Sequence, residues 1–139
     1  MKELIDMLHA GGYSCVIANG DRLRTFTQRG VADLYDLLVQ EPDFLHGASV
    51  ADKVIGKAAA SLMVLGGVHE VYTHIISRPA LRLLQEAGVA VSCDEVVDHI
   101  INRDRTGWCP LEQASRDLHS AKEIFPVIET FIANQRKNA

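Results

Sequence analysis

The run VYTHIISRPALRLLQEAGVAV, residues 71–91, decides the fold. Val71 to Ile76 is an apolar, β-branched run of strand length and predicts a strand buried on both faces. Ser77 and Pro79 are helix-start signals, Leu81, Leu84 and Ala87 keep helical spacing, and Gly88 closes the helix. Val89-Ala90-Val91 reads as the next strand. Strand, short helix and strand form a βαβ unit, so the two strands run parallel with a right-handed crossover. The chain is therefore read as α/β.

On the N-terminal side, Leu4, Ile5 and Leu8 predict a helix over 2–10 that ends at Gly11-Gly12. Ser14-Cys15-Val16-Ile17 and Leu23-Arg24-Thr25-Phe26 flank Asn19-Gly20, a preferred pair for a two-residue hairpin turn. Val31, Leu34, Leu37 and Leu38 predict a short helix that stops before Pro42. Ser49-Val50-Ala51-Asp52 has capping-box spacing and is read as the start of a central helix. Its apolar face runs through Ala51, Val54, Ile55, Ala58, Leu62 and Leu65 to Gly66-Gly67. Small residues gather at Gly56, Ala58, Ala59 and Ala60, which suits close packing against a sheet or close approach of a ligand. On the C-terminal side, residues 99–108 are polar and irregular, and Pro110 begins a short helix. A last helix covers 121–135, bent or begun at Pro126.

The length of 139 residues suits one domain over 1–139. A net charge of −4 argues against general nucleic-acid binding. No apolar stretch is long enough for a membrane span, and no secretory leader is visible. Cys15, Cys93 and Cys109 are odd in number and widely spaced, which supports neither a disulfide framework nor a zinc ribbon. A reducing cytoplasm is the expected home.

The order of helix, hairpin, helix and strand–helix–strand resembles the core of the cytidine-deaminase superfamily. Asp52-Lys53-Val54-Ile55-Gly56-Lys57-Ala58-Ala59-Ala60, with Ile101-Asn102-Arg103-Asp104 and Thr106-Gly107-Trp108-Cys109-Pro110-Leu111-Glu112, resembles a family of short uncharacterised prokaryotic proteins assigned to that superfamily. The resemblance implies a three-layer α/β/α fold whose mixed sheet has an N-terminal antiparallel hairpin followed by parallel strands. It does not imply zinc chemistry. The resembled enzymes carry H-x-E or C-x-E at the start of the central helix and P-C-x-x-C at the start of the next. Here those places hold Lys57-Ala58-Ala59 and Pro79-Ala80-Leu81-Arg82-Leu83. Neither Ala80 nor Leu83 binds zinc, and Lys57 would repel it. No metal site and no cofactor is expected.

Ligands of open α/β sheets sit beyond the carboxyl ends of parallel strands. That rule marks Ser77 and Arg78, and, at the central helix, Asp52, Lys53, Gly56 and Lys57. Lys53 and Lys57, four apart, would share one helix face; a solvated Lys53 is the plainer reading. Lys57 lies among small residues where a lysine needs a partner. It would bind an anionic group, act as a base with lowered proton affinity, or anchor a structural ion pair. Cys109 precedes Pro110 at a helix start, which favours a thiolate, although a quiet thiol is the plainer reading. Asn102 and Arg103 lie on an irregular segment suited either to binding or to turn hydrogen bonds. These residues point to a zinc-independent, deaminase-like domain for a small anionic or nucleotide-like ligand. The alternative is a non-catalytic regulatory or assembly domain. Whether the chain is an enzyme, and whether it forms a homo-oligomer, both stay open.

Overall fold

Residues 71–76 lie inside a strand, and the segment after them is the helix its start signals predict. The computed structural model describes residues 1–28, 31–100 and 109–137. In chain order the elements are α1 (Lys2–Gly11), β1 (Cys15–Asn19), β2 (Arg22–Phe26), α2 (Ala32–Gln40), α3 (Pro42–Leu45), β3 (Ser49–Ile55), α4 (Lys57–Gly66), β4 (Glu70–Ser77), α5 (Arg78–Glu86), β5 (Ala90–Val97), α6 (Pro110–Ala114) and α7 (Ala121–Lys137). The sheet order is β2-β1-β3-β4-β5. β1 is antiparallel to β2 and β3, while β3, β4 and β5 run parallel. The α/β class and the mixed sheet with its N-terminal hairpin are as expected.

Two local readings are corrected. Residues 49–55 form a strand, and the central helix starts at Lys57. Val50, Val54 and Ile55 are β-branched and suit a pleated ladder between two neighbours. Ser49 caps no helix; its Oγ donates to Glu70 Oε1 at 2.7 Å on the adjacent strand. Asp52 and Lys53 therefore belong to a strand, and Lys53 shares no helix face with Lys57. The hairpin loop also sits one residue later than expected. Asn19 pairs with Arg22, which leaves Gly20 and Asp21 as the two-residue turn. Gly20 supplies the positive φ of 60° that the turn requires. Asn19 instead turns its amide to the Phe44 and His46 carbonyls, at 2.9 and 2.8 Å.

β3 and β4 change face together. Val50 and Val71 are partners in the main core, and so are Ile55 and Ile76, five residues further along each strand. Strict alternation would send them to opposite faces. Between these pairs the register of β3 and β4 skips Lys53 and His74, which breaks the alternation on both strands. On β4 Thr73 Oγ1 donates to the Ile75 carbonyl at 3.0 Å.

Helices cover both faces of the sheet. Leu4 and Leu8 of α1 pack on Val16, Ala51 and Tyr72. The larger core on the other face gathers Leu37, Leu62, Met63, Leu84, Ile124 and Ile128 from α2, α4, α5 and α7. Ile124, Ile128 and Ile132 recur every fourth residue of α7 and are buried, whereas Pro126 is exposed and the helix runs on through it. Among the described residues no helix is long and apolar enough to cross a membrane.

Candidate functional site

The site begins where β3 gives way to α4. Gly56 is the N-cap of α4 and has no side chain to satisfy the first helical N–H groups. Glu112, in α6, supplies the missing acceptor. Its Oε2 accepts the Lys57 backbone N–H at 2.8 Å, and its Oε1 accepts the Ile100 N–H at 3.2 Å. Glu112 is only 4% exposed. A Cβ on Gly56 would lie 3.0 Å from Oε2 and 3.2 Å from Ile100 Cγ1. The close approach at Gly56 is thus made by the chain's own carboxylate.

Lys57 is 6% exposed. Its ammonium is met by carbonyls: Nζ donates to the Ser115 oxygen at 2.8 Å and the Arg116 oxygen at 3.3 Å, past the end of α6. Burial lowers its proton affinity below that of a free lysine, while Glu112, Asp117 and Glu123 pull the other way. Lys57 also lines a cleft of about 300 Å³ between α5 and the α6–α7 connection. Pro79, Arg82, Leu83 and Glu86 line one wall, and Arg116, Leu118 and His119 the other. The connection is fixed where it enters α7. Ser120 Oγ accepts the Glu123 N–H at 3.2 Å, and Glu123 Oε2 accepts the His119 N–H at 3.4 Å.

The other sequence-marked residues are dispersed. Ser77 caps α5, its Oγ accepting the Ala80 N–H at 3.3 Å. Arg78 pairs with Asp98 at 2.8 Å on an exposed surface and does not line the cleft. Lys53 is exposed, and its backbone N–H donates to the Ser14 carbonyl at 3.1 Å. Asp52 stands opposite Cys15 on β1. Burial raises the Asp52 carboxyl to about 7, against the N–H donors of Val54 and Lys53 and the Cys15 thiol. The Cys15 thiol is itself pushed up by burial and by Asp52. Cys109 precedes α6 and is half-buried, its N–H donating to the Ile100 carbonyl at 2.8 Å. Asn102 and Arg103 lie outside the described residues. Lys57 and Gly56 are thus brought together with Glu112, while Asp52, Lys53, Arg78 and Cys109 do not line the cleft.

Sequence reasoning missed Arg82, Glu86, Arg116 and His119. Arg82 and Glu86 had a readable signal, since they stand three and seven residues after Pro79 on a helix whose start was clear. Arg116 and His119 had none, because nothing local relates the α6–α7 connection to α5. Lys57, Ala58 and Ala59 on α4 and Ala80 and Leu83 on α5 are all buried. Among the described residues no group of three His, Cys, Asp or Glu side chains could hold a metal ion.

A second polar cluster lies on the α1 side of the sheet. The Tyr72 hydroxyl donates to Asp94 Oδ2 at 2.5 Å, and His74 Nδ1 is 3.0 Å from the same oxygen. His9 Nε2 lies 3.3 Å from the Tyr72 oxygen. The ionised carboxylate only accepts, so protons sit on the tyrosine oxygen and on His74 Nδ1; the tyrosine then accepts from His9 Nε2–H. The bond to Asp94 pushes the Tyr72 phenol up to about 12 and holds the Asp94 carboxyl below the ordinary aspartate range.

A family model described as TM1506, domain of unknown function (DUF1893), matches residues 3–132. The chain is similar to the crystal structure of a DUF1893 family protein from Thermotoga maritima, with 25% identity and a TM-score of 0.85 over 93% of this chain and 87% of that one. It is also similar to RibD of Acinetobacter baumannii, at 18% identity and a TM-score of 0.44, over 67% of this chain and 33% of that one. No curated protein matches.

Proposed function

Because the chain belongs to the DUF1893 family, domains of unknown function, we infer its role from its own geometry: it binds a small anionic ligand, without zinc, in the cleft beside Lys57. One observation carries this reading. Lys57, Arg82 and Arg116 line one cleft of about 300 Å³ against a single lining carboxylate, Glu86, with Asp117 3.8 Å from Arg116. Positive charge in a concave site attracts and orients anions. The cytidine-deaminase-like assignment belongs to the same proposal. It is supported by α4 and α5, which begin at the carboxyl ends of the neighbouring parallel strands β3 and β4. Two helix starts at adjacent strand ends are where such folds keep their pocket. A nucleotide-like ligand follows from that assignment. A cytoplasmic setting is proposed separately, because it suits three thiols that form no disulfide.

The test is isothermal titration of the protein with phosphate, oxalate and a nucleoside monophosphate, repeated on Arg82→Glu. Saturable binding to the original chain, lost on charge reversal, is the expected result. Flat titrations of the original chain with all three anions refute the reading.

A second reading has its own support. The Lys57 ammonium and the Glu112 carboxylate are both satisfied within the chain. A non-catalytic regulatory or assembly domain needs no more than that. Flat titrations together with reversible self-association in sedimentation equilibrium would put it ahead.

A further inference from the structure

Asn19 is followed by Gly20, a pair with its own chemistry. Glycine has no Cβ to shield its backbone nitrogen. Gly20 stands at the exposed hairpin turn, where an added Cβ would meet no atom within 4 Å. The Asn19 carboxamide is one residue away, but it is turned elsewhere. Its Nδ2 donates to the Phe44 carbonyl at 2.9 Å and to the His46 carbonyl at 2.8 Å. Both partners only accept, which fixes the amide with its nitrogen toward them. We propose that Asn19-Gly20 is a self-modification site, in which the Gly20 nitrogen closes on the Asn19 carboxamide, and that these two carbonyls hold the reaction off in the folded chain.

The two carbonyls are fixed in their own right. The His46 N–H donates to the Pro42 carbonyl at 3.2 Å, and the Gly47 N–H to the Gly67 carbonyl at 2.8 Å. Asn19 is held at the end of β1 by its ladder pairing with Arg22. Ring closure needs Asn19 Cγ beside the Gly20 nitrogen, so the carboxamide must first leave both acceptors. The reaction therefore records each opening of the contact between the hairpin and the α3–β3 connection. Its product cannot restore that contact, because a carboxylate has no hydrogen to donate and would face two carbonyl oxygens. Phe44, 1% exposed beneath the guanidinium groups of Arg22 and Arg24 at 4.9 and 5.1 Å, then loses one of its ties to the hairpin.

The steps balance with water as the only other reactant. The Gly20 nitrogen gives its proton to solvent base and adds to Asn19 Cγ, and the C=O π pair moves to oxygen. The return of that pair expels Nδ2, which takes up a proton and leaves as ammonia. A cyclic imide remains. Water then opens it in one of two ways. Breaking the new bond from Cγ to nitrogen gives aspartate. Breaking the original bond from the Asn19 carbonyl carbon to the Gly20 nitrogen gives isoaspartate, whose main chain runs through the former side chain. That extra carbon carries the turn out of register with Arg22.

The test keeps the whole protein at mildly alkaline pH, folded in one series and in denaturing guanidinium chloride in another. Peptide mass spectrometry follows the conversion of amide to acid at Asn19. Asn134, which precedes the larger Gln135, is the internal control. In denaturant Asn19 should convert several-fold faster than Asn134, because only its neighbour lacks a Cβ. In the folded chain it should convert at least about tenfold more slowly than in denaturant, the factor expected of two ordinary hydrogen bonds. Asn19→Asp makes the aspartate product directly and should lower the denaturation midpoint. Matching rates for Asn19 and Asn134 in denaturant overturn the site. Matching rates for Asn19 in the folded and denatured chains overturn the lock. An unchanged midpoint in Asn19→Asp shows that the contact survives modification and overturns the irreversible record. Should that variant fail to fold, the two rate comparisons on the original chain still decide.

Discussion

Glu112 Oε2 lies 2.8 Å from the backbone nitrogen of Lys57, so a residue fifty-five positions away caps the helix that Gly56 cannot cap. The positive end of α4 is thereby occupied by an internal anion. A ligand of the cleft meets the Lys57 side chain and not the end of the helix, which separates this arrangement from a helix-terminus anion site.

The Gly56–Glu112 contact should be intolerant from both sides. Glu112→Ala leaves two N–H groups without their acceptor and should cost about 1–3 kcal/mol per buried group left unpaired. Gly56→Ala places a methyl at 3.0 Å from the carboxylate and should cost about 1–3 kcal/mol through overpacking. In the double variant the two losses should fall well short of their sum, since both break one contact. Urea denaturation measures all three; strict additivity would show that the contact does not couple these positions.

Lys57→Met should fold but lose about 1–3 kcal/mol, because the Ser115 and Arg116 carbonyls lose their donor. An unchanged midpoint in urea would mean that water replaces the ammonium without cost.

Asp52 should set part of the pH dependence of stability. Its folded value, about 7, lies above the 3.8 of the free side chain, so the folded chain binds the extra proton. The contribution is full below pH 3.8 and is lost as pH rises through about 7. Its size is of the order of a few kcal/mol. Asp52→Asn should flatten the stability profile across that window, and be the more stable form at pH values above it. A variant profile parallel to that of the original chain would assign the titration elsewhere.

Tyr72→Phe should remove one tyrosine ionisation near 12 from the ultraviolet pH titration. It should also cost about 1 kcal/mol, as the Asp94 bond is lost. Persistence of that step in the variant would place it on another phenol.

What could be read from the sequence was local. Val71–Val91 carried its strand–helix–strand order in β-branching, a Ser/Pro helix start and a closing glycine, all short-range signals. The misreading of 49–55 had a physical origin. Ser49 and Asp52 carry the spacing of a helix start, yet β-branched Val50, Val54 and Ile55 favour strand, and Gly56 breaks the run before Lys57. Ser120 and Glu123 keep the same spacing and do bind the start of α7. Spacing alone does not separate the two cases; the β-branched content does. For the site, Lys57 stood out as a charge among alanines. Arg116 and His119 did not, since what joins them to α4 and α5 is the packing of distant segments.

β3 is hydrogen-bonded antiparallel to β1 on one side and parallel to β4 on the other. It is the seam between the hairpin and the βαβ unit. Neither part can separate without stripping one whole side of this strand. Its amide protons should therefore exchange with solvent only when the entire sheet opens. β2 and β5 each have one strand partner among the described residues, and their outward amides should exchange through smaller, local openings. A fold whose two ladder geometries share one strand is thereby a single cooperative unit that frays from its edges.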